Sequence, residues 1–144
     1  MTTWTQPVVG VGAVVWRNDR MLLIRRGTPP NQDAWSLPGG KQEVGETVAA
    51  AAAREVWEET GVRITVADVV AVVDLIQRDD QDQIQYHYTL VDMLAHWESG
   101  DAHAATDADD VAWASLDELA HYELWNETER VIRLADARRR EHQP

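Results

Sequence analysis

One helix constrains this chain more than any other feature of its sequence. The segment from Thr47 to Thr60 contains no glycine or proline and includes five consecutive alanines, which are strong helix formers. Thr47 is suited to cap the start of the helix, and Gly61 stands where a left-handed glycine commonly follows the end. The sequence therefore predicts a helix bounded by these two residues.

The predicted helix carries three carboxylates on one face. Glu55, Glu58 and Glu59 stand three and four residues apart, so their side chains are neighbours and repel one another. Arg54 offers one compensating charge, and a divalent cation offers a better one, since hard oxygen ligands suit Mg²⁺ or Mn²⁺. When such a pattern is considered alone, the alternative interpretation is an acidic face that is simply exposed to solvent. The opposite side carries small and apolar residues that can pack on a sheet: Ala49, Ala52, Ala53 and Val56.

Strands are predicted before and after this helix. They cover residues 8–16, 21–26, 62–66, 69–77, 84–90 and 111–114, with the first two joined as a hairpin and 27–40 as a loop. Ser115 with Glu118 predicts a capping box, and Asn126 with Glu129 a second helix cap. Because strands and helices mix without regular alternation, we expect one α/β domain over residues 1–144 with a mixed sheet. Residues 1–7 and 141–144 are expected to be flexible tails.

Composition excludes several kinds of site and partner. The 144 residues include no cysteine, which excludes disulfides, a thiolate nucleophile and a cysteine-ligated metal centre. A net charge of −12 argues against a nucleic-acid polymer as partner, because such a surface repels phosphate chains. The first apolar run is too short to span a bilayer and follows no basic region. We therefore expect a cytoplasmic protein with no membrane partner, as a monomer or homodimer.

The segment from Gly40 to Val62 resembles the Nudix box. Gly40 is followed after five residues by Glu46, and after seven more by Arg54-Glu55-Val56-Trp57-Glu58-Glu59-Thr60-Gly61-Val62. This matches the pattern G-x5-E-x7-R-E-U-x-E-E-x-G-U, where U is an aliphatic residue, at every specified position. The resemblance implies the Nudix α/β/α sandwich with a central mixed sheet, and Mg²⁺-dependent hydrolysis of a diphosphate linkage in a nucleoside diphosphate bonded to a group X. Mn²⁺ is the expected substitute for Mg²⁺.

The resemblance also implies roles for the residues of the box. Glu58 and Glu59 match the main pair of metal ligands, and Glu55 matches a ligand that some family members also use as the base. Arg54 matches the arginine that orients these carboxylates. Glu46 is expected to support the junction of loop and helix, with direct contact to the metal as the alternative. The carbonyl of Gly40, or alternatively that of Gly39, completes a metal shell.

Four residues outside the box are weaker candidates. Arg26 ends the second strand, where relatives often place an arginine on a substrate phosphate, and Trp35 could stack on a base. Asp107 and Asp110 lie shortly before Trp113, in the region where many relatives add a catalytic acid from a late loop. An exposed arginine, a structural tryptophan and a solvated acidic loop are the respective alternatives.

The substrate is expected to be a small nucleotide. The chain resembles bacterial members of the ADP-ribose pyrophosphatase and MutT-like groups, which favours ADP-ribose or a related nucleotide sugar. The proline that many ADP-ribose pyrophosphatases carry about 16 residues after the box is missing here. A pyrophosphohydrolase that removes oxidised nucleoside triphosphates such as 8-oxo-dGTP is therefore the alternative. A Nudix module that senses a nucleotide without cleaving it is a further alternative, and such modules usually have damaged boxes.

Overall fold

The computed structural model describes residues 4–141, so the outermost parts of both expected tails, residues 1–3 and 142–144, lie outside the described residues. Seven strands in this part of the chain form one sheet, with one α-helix before β5 and another at the end. The elements are β1 (Val8–Arg17), β2 (Arg20–Arg26), β3 (Trp35–Ser36), β4 (Gly39–Lys41), α1 (Val48–Thr60), β5 (Arg63–Arg78), β6 (Ile84–Ser99), β7 (Ala108–Ser115), a 3₁₀ helix (Leu116–Tyr122) and α2 (Asn126–Glu141).

The sheet is mixed, as predicted. Its main path runs β3-β2-β1-β6-β5, with β4 added to β1 and β7 added to β2. β1 and β6 are parallel, with Val8 opposite Tyr88 and Trp16 opposite His96. The other pairs are antiparallel, including the β1–β2 hairpin.

The two helices cover opposite faces of the sheet, which gives the expected α/β/α sandwich. Alternate residues of β1 point to opposite faces. Val11 packs with Ala51 and Ala52 of α1, whereas Val14 packs with the buried residues of α2. The α2 side of the core also contains Trp16, Leu94, Val131, Ile132 and Ala135.

Helix α1 forms with the predicted boundaries. The Thr47 hydroxyl accepts a hydrogen bond from the Ala50 N–H at 3.0 Å, and Gly61 has a left-handed φ of 75°. The predicted capping box of Ser115 and Glu118 is also present, although it begins a 3₁₀ helix. α2 begins at Asn126 itself, because the Glu129 N–H bonds to the Trp125 carbonyl, so the expected cap at Asn126 was wrong by one position.

Several predicted elements have different extents in the structure. The expected strands 62–66 and 69–77 are one long strand, β5, because its pairing with β6 continues across register shifts near Asp68. β6 continues to Ser99 rather than ending at residue 90, since β1 provides it with a parallel partner. The expected loop 27–40 contains the short strand β3 and the first residues of β4. Trp4, within the expected N-terminal tail, lies edge-on to Tyr88 with ring centres 5.3 Å apart.

No helix within residues 4–141 is long and apolar enough to span a membrane.

Candidate active site

Helix α1 presents its acidic face to a large cleft. Ala51, Ala52 and Val56 are fully buried on the core side of the helix, which turns Glu55 and Glu59 towards the opening. Both glutamates line a cleft of about 960 Å³, together with the backbone of β4. Glu58 is outside this lining, and its side chain is 40% exposed.

Arg54 connects the carboxylates of the box. Its Nε and Nη2 atoms donate to the two oxygens of Glu46 at 2.7 and 2.9 Å. Its Nη1 donates to Glu55 at 2.8 Å and to Glu58 at 3.1 Å, and Nη2 also reaches the Lys41 carbonyl at 3.0 Å. These bonds, first of all the pair to Glu46, raise the pKa of Arg54 further above its ordinary value. They lower the pKa of Glu46, so this ion pair stays charged over the whole neutral range.

Glu59 is the most deeply buried carboxylate of the group. Its residue is 4% exposed, and its Oε1 accepts a hydrogen bond from the Gly39 N–H at 2.8 Å. Burial raises the pKa of Glu59 to about 8, and the neighbouring charges of Glu55 and Asp107 add to the rise. Burial also raises the pKa of Glu55, against the opposing effect of Arg54. Two carboxylates at the cleft therefore lack full charge compensation.

Gly40 lies directly against Glu55. A Cβ atom at position 40 would collide with both carboxylate oxygens of Glu55, so any side chain there would force the Glu55 carboxylate to move. β4 pairs with β1, which places Gly39 opposite Gly12 and Gly40 opposite Val11. The backbone of β4 is thereby fixed beside the acidic face of α1.

The oxygen donors of this region suit a hard divalent cation. Glu55, Glu58 and Glu59 supply carboxylates, and Gly40 supplies a carbonyl on the adjacent strand. Among residues 4–141, no three acidic or histidine side chains are arranged as a ready-made metal site. Glu55 and Glu58 are instead directed towards Arg54, so a cation would compete with the guanidinium group for their oxygens.

Asp107 reaches the cleft, whereas Asp110 does not line it. The loop before β7 is held against the end of α1, because the N–H groups of His103 and Ala105 donate to the carbonyls of Thr60 and Glu59, both at 2.9 Å. Asp107 is in the cleft lining, and its charge raises the pKa values of Glu55 and Glu59. Asp110 lies on β7, exposed, and its carboxylate accepts a bond from the Val111 N–H at 2.8 Å.

Arg26 and Trp35 both line the cleft. The Arg26 Nε donates to the Pro30 carbonyl at 2.7 Å, and the positive charge of Arg26 partly offsets the raised pKa of Glu59. Trp35 packs edge-on against Tyr122, with ring centres 5.0 Å apart. The cleft lining thus combines acidic groups with an arginine and an aromatic ring.

The cleft also contains residues that the sequence analysis did not select. They include Gly10, Gly12, Val73, Leu90, Asp92, Trp125 and Glu127. One signal was available in the sequence, because an acidic residue inside the apolar run Leu90-Val91-Asp92-Met93-Leu94 is unusual. Glycines inside a strand, such as Gly10 and Gly12, are a second signal, since they often mark close approach of another group.

Comparison with known proteins gives consistent matches. A sequence model of the NUDIX domain matches residues 6–135. The crystal structure of a MutT NUDIX hydrolase from Burkholderia pseudomallei is 34% identical, with a TM-score of 0.77, and the match covers 90% of this chain and 98% of that one.

Two curated relatives match over shorter parts of their length. The ADP-ribose pyrophosphatase of Methanocaldococcus jannaschii is 30% identical over 116 residues, which are 81% of this chain and 66% of the relative. A MutT-like protein of Streptomyces ambofaciens is 48% identical over 65 residues, which are 44% of this chain and 40% of the relative. The chain thus spans less than two thirds of the length of either relative.

Proposed function

The chain belongs to the NUDIX domain family, and we propose that it is a divalent-cation-dependent pyrophosphohydrolase acting on a nucleoside diphosphate linked to a second group. ADP-ribose or a related nucleotide sugar is the proposed substrate. The observation that carries this proposal is the arrangement around Arg54. Its guanidinium group holds Glu46, Glu55 and Glu58 beside a cleft into which Glu59 is also turned.

The chemistry of the donor set supports Mg²⁺ or Mn²⁺ as the cofactor. Glu55, Glu58, Glu59 and the Gly40 carbonyl would hold the cation. Burial raises the pKa of Glu59 to about 8, so its ionised carboxylate would be stabilised by a nearby cation. When bound, the cation would supply charge neutralisation for the diphosphate and would make a water molecule more acidic.

The remaining groups would bind the substrate, orient the reacting groups and accept a proton. Arg54 would hold the carboxylates in position, and a Glu55 oxygen would accept the proton of the attacking water. Water oxygen then forms a bond to one phosphorus atom as the bridging P–O bond breaks, and the bridging oxygen leaves with the second phosphate. Arg26 is suited to bind a phosphate oxygen because it is the arginine whose charge acts on Glu59. Asp107 is suited to assist the same water, because it lines the cleft and its charge acts on Glu55 and Glu59.

The size and lining of the cleft favour a substrate larger than a mononucleotide. Small-molecule pockets usually enclose roughly 300–1,000 Å³, and this cleft of about 960 Å³ is at the upper end. Trp35 provides an aromatic surface on which a base could stack. The ADP-ribose pyrophosphatase among the relatives supports the same substrate class.

A second candidate is a nucleoside triphosphate pyrophosphohydrolase that removes oxidised nucleotides such as 8-oxo-dGTP. The relatives named MutT and MutT-like support it. Nucleotide sensing without cleavage is a third possibility, and the complete set of box residues argues against it.

A substrate panel tests these alternatives. ADP-ribose, several nucleotide sugars, the four deoxynucleoside triphosphates and 8-oxo-dGTP would be incubated with the protein and Mg²⁺, and the products identified by mass spectrometry. The proposal expects AMP and ribose 5-phosphate from ADP-ribose with the highest kcat/KM of the panel. Pyrophosphate release from a triphosphate as the dominant reaction would favour the second candidate. Tight binding without any product would favour the sensor.

A further inference from the structure

A buried carboxyl group lies in the floor of the cleft, well apart from the acidic face of α1. Asp92 is in the middle of β6, and its residue is only 7% exposed. Within the part of the chain that the structure describes, no hydrogen bond to its side chain is found. A carboxyl group this far removed from bulk water is destabilising unless a ligand or a water molecule in the cleft supplies a hydrogen-bond donor. Such a group in a ligand cleft therefore requires an explanation.

The strand beside Asp92 makes room for its side chain. Gly12 of β1 is directly opposite Asp92 in the parallel pair. A Cβ atom at Gly12 would lie 2.5 Å from the Asp92 Oδ1, and one at Gly10 would lie 2.8 Å from the Leu90 Cδ2. The two glycines thus form a floor without side chains, across which the Asp92 carboxyl group lies. Both glycines, Leu90 and Asp92 line the cleft.

This floor is next to the proposed phosphate site. Gly12 is paired with Asp92 on one side and with Gly39 on the other, and the Gly39 N–H binds Glu59. Adjacent strands are about 4.8 Å apart, so two strand spacings, roughly 10 Å, separate Asp92 from the backbone that holds Glu59. A nucleotide with its phosphates at the carboxylates of α1 can therefore extend its nucleoside over Gly12.

The surroundings of Asp92 fit a planar, mostly apolar group. Leu90 lies on the same strand, Val73 is its cross-strand partner on β5, and all three line the cleft with Trp125. A flat apolar surface with one buried hydrogen-bonding group is suited to a nucleobase, whose faces are apolar and whose edge is polar.

Arg130 of α2 is the positively charged group that acts on Asp92. Burial raises the pKa of Asp92 to about 6, and the charge of Arg130 opposes part of this rise. The Nη2 and Nε atoms of Arg130 donate to Glu127 at 2.7 and 3.1 Å. Among the described residues, no hydrogen bond joins Arg130 to Asp92, and the arginine acts on that carboxyl group through its charge alone.

We propose that Asp92 is a specificity-determining residue whose carboxyl group accepts a hydrogen bond from an N–H on the edge of the substrate's purine base. This inference rests on the proposed function, since it assumes that a nucleotide occupies the cleft. It does not require that the nucleotide be cleaved. It assigns the phosphates to the α1 side and the base to the floor made by Gly10 and Gly12.

Binding of matched mononucleotides tests this proposal separately from hydrolysis. AMP and GMP carry N–H donors on the base edge, whereas purine riboside 5′-monophosphate has the same ring, ribose and phosphate without them. Calorimetry at pH 8 keeps the carboxyl group ionised. We expect the wild-type protein to bind AMP or GMP at least tenfold more tightly than purine riboside monophosphate. Equal affinities, or no measurable binding of any of the three, would overturn the proposal.

Two variants then assign the preference to Asp92. Asp92→Leu and Asp92→Val remove the acceptor, and the ratio of affinities should fall to within twofold. Asp136→Asn is the matched control, because Asp136 is also a largely buried carboxylate but bonds to Arg139 and Arg140 away from the cleft. A preference that survives in either apolar variant, or a uniform loss for all three ligands, would contradict base recognition. If neither variant folds, a wild-type ratio below tenfold still overturns the proposal.

The two proposals can fail independently. Hydrolysis of no substrate, combined with an Asp92-dependent preference among mononucleotides, would reject the proposed enzyme and retain base recognition. Turnover of ADP-ribose with no such preference would do the reverse.

Discussion

Arg54 and Glu46 form a two-point ion pair that fixes the acidic helix to the loop before it. The Nε–Oε2 and Nη2–Oε1 distances are 2.7 and 2.9 Å, the fork geometry in which arginine binds a carboxylate most strongly. Glu46 also accepts a bond from the Glu43 N–H at 3.0 Å. The pair therefore connects the loop before α1 to the carboxylates that Arg54 holds.

Glu46→Gln should lower kcat by about tenfold while leaving the protein folded. The amide keeps one acceptor oxygen but loses the charge, so Arg54 is held less firmly and orients Glu55 and Glu58 less well. Steady-state kinetics on the best substrate measures this. Glu43→Gln is the control, since Glu43 is exposed and 3.9 Å from Arg54, and it should stay within twofold of wild type. Equal effects of the two substitutions would show that the two-point pair does not position the site.

Glu58→Gln and Glu59→Gln should each reduce kcat by roughly 10²-fold or more, because each removes charge proposed to hold the cation. Both variants should fold. Glu58 is partly exposed, and a glutamine oxygen at position 59 can still accept from Gly39. Glu129→Gln on α2 is the matched control. Within residues 4–141, the Glu129 carboxylate forms an ion pair with Arg133 alone. Turnover near the wild-type rate in both box variants would contradict the metal assignment.

Removal of divalent cations should abolish activity, and Mg²⁺ or Mn²⁺ should restore it. Activity should rise towards alkaline pH if a bound water must lose a proton. Turnover measured in excess chelator, before and after addition of each cation, checks both expectations. Undiminished activity in chelator would exclude the proposed mechanism.

Local sequence was sufficient to predict α1 and the set of box residues. Thr47, the alanine run and Gly61 determine a helix of 13 residues, and the spacing of its glutamates puts them on one face. The same local reasoning could not place β6. Its second half is stabilised by a parallel neighbour about 80 residues earlier in the chain, Gly12 being opposite Asp92, and such a pairing has no local signature.

The cleft residues outside the box depend on contacts of the same long-range kind. Asp107 is near Glu59 because the loop before β7 bonds to the end of α1. Asp110, only three residues later, is already in the β7 strand that pairs with β2, with Arg25 opposite. The sequence presents these two aspartates as equivalent, and only the tertiary pairing distinguishes them.

Asp107→Asn should lower kcat by about tenfold with little change in KM, the pattern for an interaction made mainly in the transition state. Asp110→Asn should have a smaller effect, since that carboxylate bonds to the backbone of its own strand. Kinetics of the two single variants and the double variant measures this. A double variant within about twofold of wild type would remove this loop from the chemistry and leave Glu55 as the base.

Without divalent cations, the protein should lose stability as the pH rises from about 5 to about 8. Burial raises the pKa of Glu59 from 4.5 to about 8, so the folded state keeps a proton that the unfolded chain releases near pH 4.5. Between these values the unfolded state binds fewer protons, and the free energy of unfolding falls with increasing pH. Asp92, with a pKa of about 6, acts in the same direction. At about 1.4 kcal/mol per pKa unit, Glu59 alone accounts for several kcal/mol.

Thermal unfolding in chelator, recorded across this range, should therefore show a falling Tm that levels off above pH 8. Glu59→Gln should flatten the slope, because glutamine does not titrate, whereas Glu129→Gln should leave it unchanged. The comparison between variants cancels the repulsion that accompanies the net charge of −12, which all of them share to within one charge. Mg²⁺ should raise Tm more at pH 8 than at pH 5.5, because it binds the ionised carboxylates. A Tm that rises over this interval, or a slope that Glu59→Gln does not alter, would show that Glu59 is not held protonated in the cation-free protein.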